Sequence, residues 1–154
     1  MECYEGATMI KTFRGNLADG GQDHIRLKTN KGDIGYKIVQ FRVFPIDCNE
    51  DMETSVKVYK LKQSSIDANF DFTDGDLLAA AMYSQHSDAH ANSEDLVVFF
   101  DNEIFNQDIY ITNKGVTYTK NINYYLELEQ VKLNENESTM ATLQSLRRLA
   151  LPRN

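Results

Sequence analysis

DNEIFNQDIYITNKGVTYTKNINYYLELEQVKL, residues 101–133, carries the pattern on which the fold turns. Two runs of strand-forming residues, 104–112 and 122–133, flank a polar tip with Asn113, Lys114, Gly115 and Asn121. In the second run Tyr124, Leu126 and Leu128 alternate with Tyr125, Glu127 and Glu129. A period of two puts the first set on one face and the carboxylates on the other. Ile109 and Ile111 oppose Asp108, Tyr110 and Thr112 in the same way. Such strands pack one side on a core and show the other to water. The segment is therefore expected to fold as an antiparallel β-hairpin.

Upstream, further short strands are punctuated by turn residues. Residues 9–14 alternate, with Met9, Lys11 and Phe13 against Ile10, Thr12 and Arg14. NLADGG (16–21) is turn chemistry, because glycine carries positive φ without steric cost. A short strand at 24–29, a turn at 30–33 and a long strand at 35–45 follow. In the long strand Val39, Phe41 and Val43 oppose Tyr36, Ile38, Gln40 and Arg42, as in an interior strand of a sandwich. Residues 47–53 form an acidic loop. Residues 55–62 read as a strand with Val56 and Val58 on one face. Lys57, Lys60 and Lys62 suggest an exposed edge, where positive charge discourages edge-to-edge pairing.

Residues 67–76 form a loop carrying Phe70 and Phe72. LLAAAMY (77–83) has helix-forming residues, yet its neighbours on both sides are strands, and it is read as one. Residues 84–94 are small and polar, a surface loop. The apolar run 96–100 reads as a central strand buried on both faces. Residues 1–8 (MECYEGAT) lack periodicity: either a short arm, or an extension ahead of a native start at Met9.

After residue 133 the period changes. Met140, Leu143, Leu146, Leu149 and Ala150 fall three and four apart, one stripe of a helix. Asn134 with Glu137 makes a variant capping box, Glu135 and Glu137 suit the positive helix start, and Arg147 and Arg148 suit its end. Pro152 follows the stop. The stripe must cover something, either its own sandwich or a neighbouring subunit. With about eight or nine strands spaced by Gly, Asn and Asp turns, the fold class is mostly β: an antiparallel β-sandwich or jelly roll with one C-terminal α-helix. The organisation is an arm (1–8), a β domain (9–133) and a helix (134–150) packed on the domain or a neighbour.

Bulk properties narrow the function. A chain of 154 residues suits one domain, able to bury roughly 70% of the surface its unfolded form exposes. A hydrophobic content of 42% and only 2 prolines argue against disorder. The net charge of −7, from 23 acidic and 16 basic residues, disfavours a grip on nucleic acid or an anionic membrane. Cys3 and Cys48 are expected as free thiols in a reducing compartment. No apolar stretch approaches the roughly 20 residues of a membrane helix. The start of the chain lacks the pattern of a signal peptide, which leaves the sequon-like Asn136-Glu137-Ser138 without meaning.

No catalytic, cofactor-binding or metal-binding residue is expected. His86 and His90 flank Asp88 at a spacing that suits a metal on a helix, but they lie in a loop and lack a third ligand. Asp71, Asp74 and Asp76 around Gly75 miss the spacing of a calcium loop and read as a plain Asp-Gly turn. Glu127 and Glu129 on a solvated strand face serve solubility rather than acid–base work. No nucleophile elbow, phosphate loop or dinucleotide fingerprint occurs. Tyr124 belongs to the core set. Tyr110, Tyr118 and Tyr125 are interface candidates, with protein contact favoured over stacking on sugars, and Met140, Leu143, Leu146 and Leu149 join them.

The stretches DNEIFNQDIYIT and NYYLELEQVKLNENESTMATLQSLR resemble small virion structural proteins of marine tailed bacteriophages, including those infecting cyanobacteria. RGNLADGGQDHIRLKTNKGDIGYKIVQF and FDFTDGDLLAAAMY are similar to the same group. The likeness runs from Met9 to about Arg148 and leaves MECYEGAT outside it. It implies a building block of the particle, assembled in the host cytoplasm, with the major capsid protein or tail proteins as partners and self-association into a homo-oligomer. A capsid decoration (cement) protein is the preferred version, and a tail, neck or baseplate component is the alternative. From a different class stands a carbohydrate-binding β-sandwich using Asp71, Asp74 or the tyrosines of 101–133.

Overall fold

The computed structural model describes residues 9–86, 94–100 and 102–150, with 94, 95 and 147–150 placed by backbone alone. The elements are β1 (Ile10–Leu17), β2 (Gln22–Ile25), β3 (Ile34–Pro45), β4 (Met52–Tyr59), β5 (Leu77–Gln85), β6 (Glu94–Phe99), β7 (Ile109–Gly115), β8 (Ile122–Lys132) and α1 (Glu135–Ala150). They form two antiparallel sheets, a three-stranded one ordered β1-β8-β3 and a five-stranded one ordered β2-β7-β4-β5-β6. The sheets pack face to face as a sandwich with one C-terminal helix, as the alternation and the final change of period predict. Between them lie Ile38, Phe41, Leu126 and Leu128 from one sheet and Val56, Val58, Ile109 and Ile111 from the other, all essentially without solvent contact.

The expected hairpin is absent. β7 pairs with β2 and β4, whereas β8 pairs with β1 and β3, so residues 116–121 cross from one sheet to the other. The apolar faces of the two strands therefore meet across the core instead of lying side by side. Alternation fixes which face a strand buries and is silent about its neighbour. The polar tip is also displaced: Asn113, Lys114 and Gly115 belong to β7. Residues 104–108 lie outside the strand, apart from a bridge between Phe105 and Tyr36.

Asn113 closes this end of the sandwich. Its buried amide donates to the carbonyls of Leu17 (3.1 Å) and Lys120 (3.3 Å) and accepts from the Thr54 hydroxyl. The chain thus turns between sheets without leaving that polar group unpaired. Gly20 sits beside it at φ 72°, a conformation that glycine adopts without a Cβ penalty.

β3 explains why both of its sequence faces are apolar. Its register against β8 shifts between Ile38 and Gln40, a bulge that swaps parity mid-strand. Tyr36 and Ile38 point inward before it, Phe41 and Val43 after it, and all four are buried. The alanine-rich segment is the strand β5, paired with β4 and β6 and burying Ala79 and Ala81.

Two expectations about strand position are overturned. The run at 96–100, read as a central strand buried on both faces, contributes to β6 at the sheet edge and exposes Leu96 on its outer face. β4, read as an edge from its lysines, lies in the middle of the five-stranded sheet, and Lys57 is only 2% exposed.

Candidate functional site

Three surfaces of the sandwich carry side chains that the core does not need. The first is the outer face of the five-stranded sheet, covered in part by residues 60–76. Ser55 and Lys57, outward on β4, hold that cover: the Ser55 hydroxyl donates to the Ala68 carbonyl at 2.8 Å. The Lys57 ammonium donates to Asp67 (2.8 Å) and to the Asn69 carbonyl (2.7 Å). It also lies 5.6 Å from the Tyr59 ring centre and 5.9 Å from that of Phe70. The buried cation is thus fully engaged, as burial of a charge requires. Its hydrogen bond holds the Asp67 carboxyl below the usual carboxylate range, while burial pushes the Tyr59 phenol up. Lys60 pairs with Glu103 at 2.8 Å. Beyond the cover, Phe70, Phe72, Met82, Leu96 and Val98 line an apolar groove of about 350 Å³.

The second surface is the outer face of the three-stranded sheet, which nothing in the described chain covers. Arg14 on β1 and Arg42 on β3 both stand opposite Tyr125 on β8, so the three form one row across the sheet. Asn16, Asn123 and Phe44 make the row on one side, and Thr12, Glu127 and Gln40 the row on the other. The Tyr125 hydroxyl donates to Glu127 at 2.6 Å, and that contact raises its pKa. The Gln40 amide nitrogen, turned toward Glu127, reaches both carboxylate oxygens at 3.2 and 3.3 Å. Asn121 donates to Asn16, and Asn16 to Asn123, each at 2.9 Å. The arginine row, the asparagine row with Phe44, and Gln40 line a shallow cleft of about 840 Å³.

The third surface is α1. The capping box forms as the sequence predicts: Asn134 accepts from the Glu137 N–H at 2.9 Å and donates to its carboxylate at 2.8 Å. The helix docks on the sandwich through small polar groups rather than its stripe. The Asn106 amide, fully buried, donates to the Gly32 carbonyl (3.0 Å) and to the Thr142 hydroxyl (2.9 Å). Ser138 donates to the same Gly32 carbonyl at 2.8 Å. Gly32 has φ 64°, and a Cβ there would crowd Asn106, Ser138 and Thr142, so the turn and the helix fit only around glycine. The apolar stripe consequently faces away from the chain's own sandwich. Met140, Leu143 and Leu146 are 62%, 56% and 54% exposed. Leu149 follows in the last turn.

The tyrosine candidates do not form one patch. Tyr110 lies on the outer face of the five-stranded sheet, stacked on His24 at 4.7 Å, and Tyr125 lies on the opposite outer face. Tyr118, between the sheets in the chain, reaches toward Asp51 at 3.4 Å. The cause is the sheet crossing, which sends β7 and β8 to opposite layers. Tyr124 is buried as expected, and its hydroxyl donates to Asp23 across the sandwich at 2.8 Å. Burial first, and then that carboxylate, raise its pKa.

The remaining polar candidates make local contacts. Asp71 and Asp74 accept from the backbone N–H groups of Thr73 (3.0 Å) and Asp76 (2.9 Å), ordinary Asx turns. His86 lies 3.6 Å from Glu53; Asp88, His90 and Cys3 fall outside the described residues, and Cys48 is exposed. His24 pairs with Asp108 at 2.7 Å, a residue far from it in sequence. Asp108 also accepts the N–H groups of Leu27 and Lys28, both at 2.8 Å. Burial alone would push the Asp108 carboxyl up; the Lys28 N–H, the His24 ring and the Leu27 N–H outweigh it and hold it below its ordinary value. Among the described residues no group of three or more His, Cys, Asp or Glu could hold a metal ion. No described helix is long and apolar enough to cross a membrane.

Fold and surfaces together define an antiparallel β-sandwich with an appended amphipathic helix. No protein-family model matches the chain, and no curated protein does.

Proposed function

We propose that this chain is an assembly module without chemistry of its own: a virion structural protein, a decoration protein on the outer capsid, working through protein–protein contacts. The observation that carries the assembly reading is the outward stripe of Met140, Leu143 and Leu146 on a helix tied to its own body by polar groups. A helix that spends its polar side inward and its apolar side outward is arranged for a neighbour. Self-association suits the same stripe. Glu135 and Glu137 in the first turn and Arg147 and Arg148 in the last set opposite charges against each other when two copies pair antiparallel. The phage assignment rests on the sequence likeness between residues 9 and 148. Tail, neck or baseplate is the alternative position in the particle.

The test is co-sedimentation with purified heads, alongside sedimentation velocity of the protein alone. Wild type is expected to self-associate and to pellet with heads. The double variant Leu143→Gln, Leu146→Gln is expected to stay monomeric and in the supernatant with unchanged thermal unfolding. A wild-type protein that neither self-associates nor binds heads overturns the decoration role. Labelled protein found on tails in particle images moves it to the alternative.

A further inference from the structure

We propose that the apolar groove on the five-stranded sheet receives the α1 stripe of a second copy, with Met140, Leu143 and Leu146 seated between Phe72 and Leu96. The inference rests on the assembly reading and names the surface that α1 meets. The groove is built by the sheet. On its outer face Ser55, Met82 and Leu96 form one row across β4, β5 and β6, and Lys57, Ala80 and Val98 form the next. Lys57 holds Asp67 and Asn69 of the cover and so positions Phe70 and Phe72 as one wall. Phe72 meets Phe100 edge-on, with ring centres 5.9 Å apart. Ala80, buried and carrying a single methyl, is the floor, and Met82, Leu96 and Val98 stand beyond it.

Phe72 and Leu96 are 59% and 58% exposed, an apolar surface that water does not favour. The groove also runs out to an unguarded edge. Among the described strands, the edges β1 and β3 carry lysine and arginine, and β2 has only 4 residues. β6 has neither lysine, arginine nor proline to discourage a neighbour. Leu96 and Val98 lie about 7 Å apart along their strand, and Met140 to Leu146 covers about 9 Å of helix, so the apolar rows match in length. Methionine and aromatic side chains suit such a surface, because they fit themselves to a partner over a large contact.

Charge selects the occupant. Residues 63–113, which supply every wall of the groove, contain no lysine or arginine. Asp71, exposed, lies between the two phenylalanines in the chain. In α1 the acids stop at Glu137, and residues 138–150 carry Arg147 and Arg148 with no Asp or Glu. An acidic rim and a basic helix end attract each other. The chain's own helix cannot serve, because Asn106 ties Thr142 to the sandwich and leaves the stripe facing outward. Stripe against stripe would leave the groove bare, whereas stripe in groove covers both apolar surfaces at once. The contact joins two unlike surfaces, so each copy gives a helix and can receive one.

The test is sedimentation velocity of two variants, alone and mixed, over a range of concentrations. The stripe variant is Leu143→Gln, Leu146→Gln, and the groove variant is Met82→Gln, Leu96→Gln, all at exposed positions. Each alone is expected to be monomeric where wild type associates, its self-affinity weakened by about tenfold or more. Their equimolar mixture is expected to form a heterodimer, since one copy keeps a groove and the other a stripe, and to loosen as salt rises. Thermal unfolding checks that each variant folds, and Phe72→Ser replaces the groove variant should that one fail. A groove variant that self-associates as wild type does overturns the inference and leaves the assembly reading standing. Monomeric variants whose mixture stays monomeric overturn it too. Groove variants that self-associate normally and lose only their hold on purified heads assign the groove to a head protein instead of a second copy. A wild type that is monomeric throughout overturns the inference, and binding to heads then decides the assembly reading separately.

Discussion

The two outer faces of the sandwich are opposites. On the five-stranded sheet, residues 60–76 fold over β4, and a buried lysine fixes them there through Asp67 and the Asn69 carbonyl. On the three-stranded sheet the two arginines stand in the open, beside a tyrosine and an exposed phenylalanine. Both faces carry cations on strands. One cation is internal structure, while the other pair is exposed on its strand face. The difference teaches that a basic residue's role is set by what the chain lays over it, not by its strand.

That contrast can be broken by substitution. The largest effect is expected from Lys57→Ala, which leaves the Asn69 carbonyl and a void beneath the cover; unfolding by urea should show a loss of about 2–3 kcal/mol. Lys57→Met keeps the stem without the charge and should cost clearly less, since an apolar replacement of a buried ion can be close to neutral. Next comes Asn106→Ala, which strips the amide that ties α1 to the Gly32 turn. A loss of about 2 kcal/mol is expected, with faster hydrogen exchange across α1 as the local readout.

Asp108→Asn should follow, costing about 1 kcal/mol at neutral pH by replacing charge-assisted hydrogen bonds with neutral ones. The Asp108 carboxyl is held below its ordinary value of 3.8 when folded. Its contribution is therefore complete above that value and is lost as pH falls through the lower native one. Stability curves of wild type and variant should converge in that acid window and nowhere above it. Smallest of all, Arg14→Gln and Arg42→Gln on the open face should each change stability by no more than about 0.5 kcal/mol. A large loss at either arginine would erase the distinction between the faces.

Face assignments were legible in the sequence because they need only a local period. Tyr124, Leu126 and Leu128 point inward as their alternation requires, and the Asn134–Glu137 cap forms as written. Partner choice was not legible. The same alternation in 104–112 and 122–133 suits a hairpin or two facing sheets, and only long-range packing selects between them. Lys57 read as an exposed edge because the segment that buries it lies in the next loop, where Asp67 and Asn69 look like ordinary turn residues. The stripe of α1 was visible, but its outward direction depends on Asn106 and Gly32, two residues with no periodic signal. The row of Arg14, Tyr125 and Arg42 joins distant strands, and nothing near any one of them announces the other two.

The position of β8 bears on how the molecule is made. It is the centre of the three-stranded sheet, so β1 and β3 both hydrogen-bond to a strand near the C-terminal end. A chain emerging from the ribosome therefore presents β1, β2 and β3 without sheet partners until β7 and β8 follow. Among the described strands, only the β4-β5-β6 meander can pair early from sequential neighbours. Closure of such distant pairings is slow compared with local hairpins. The nascent protein would remain open, and in need of protection from its own copies, until residues 122–132 arrive.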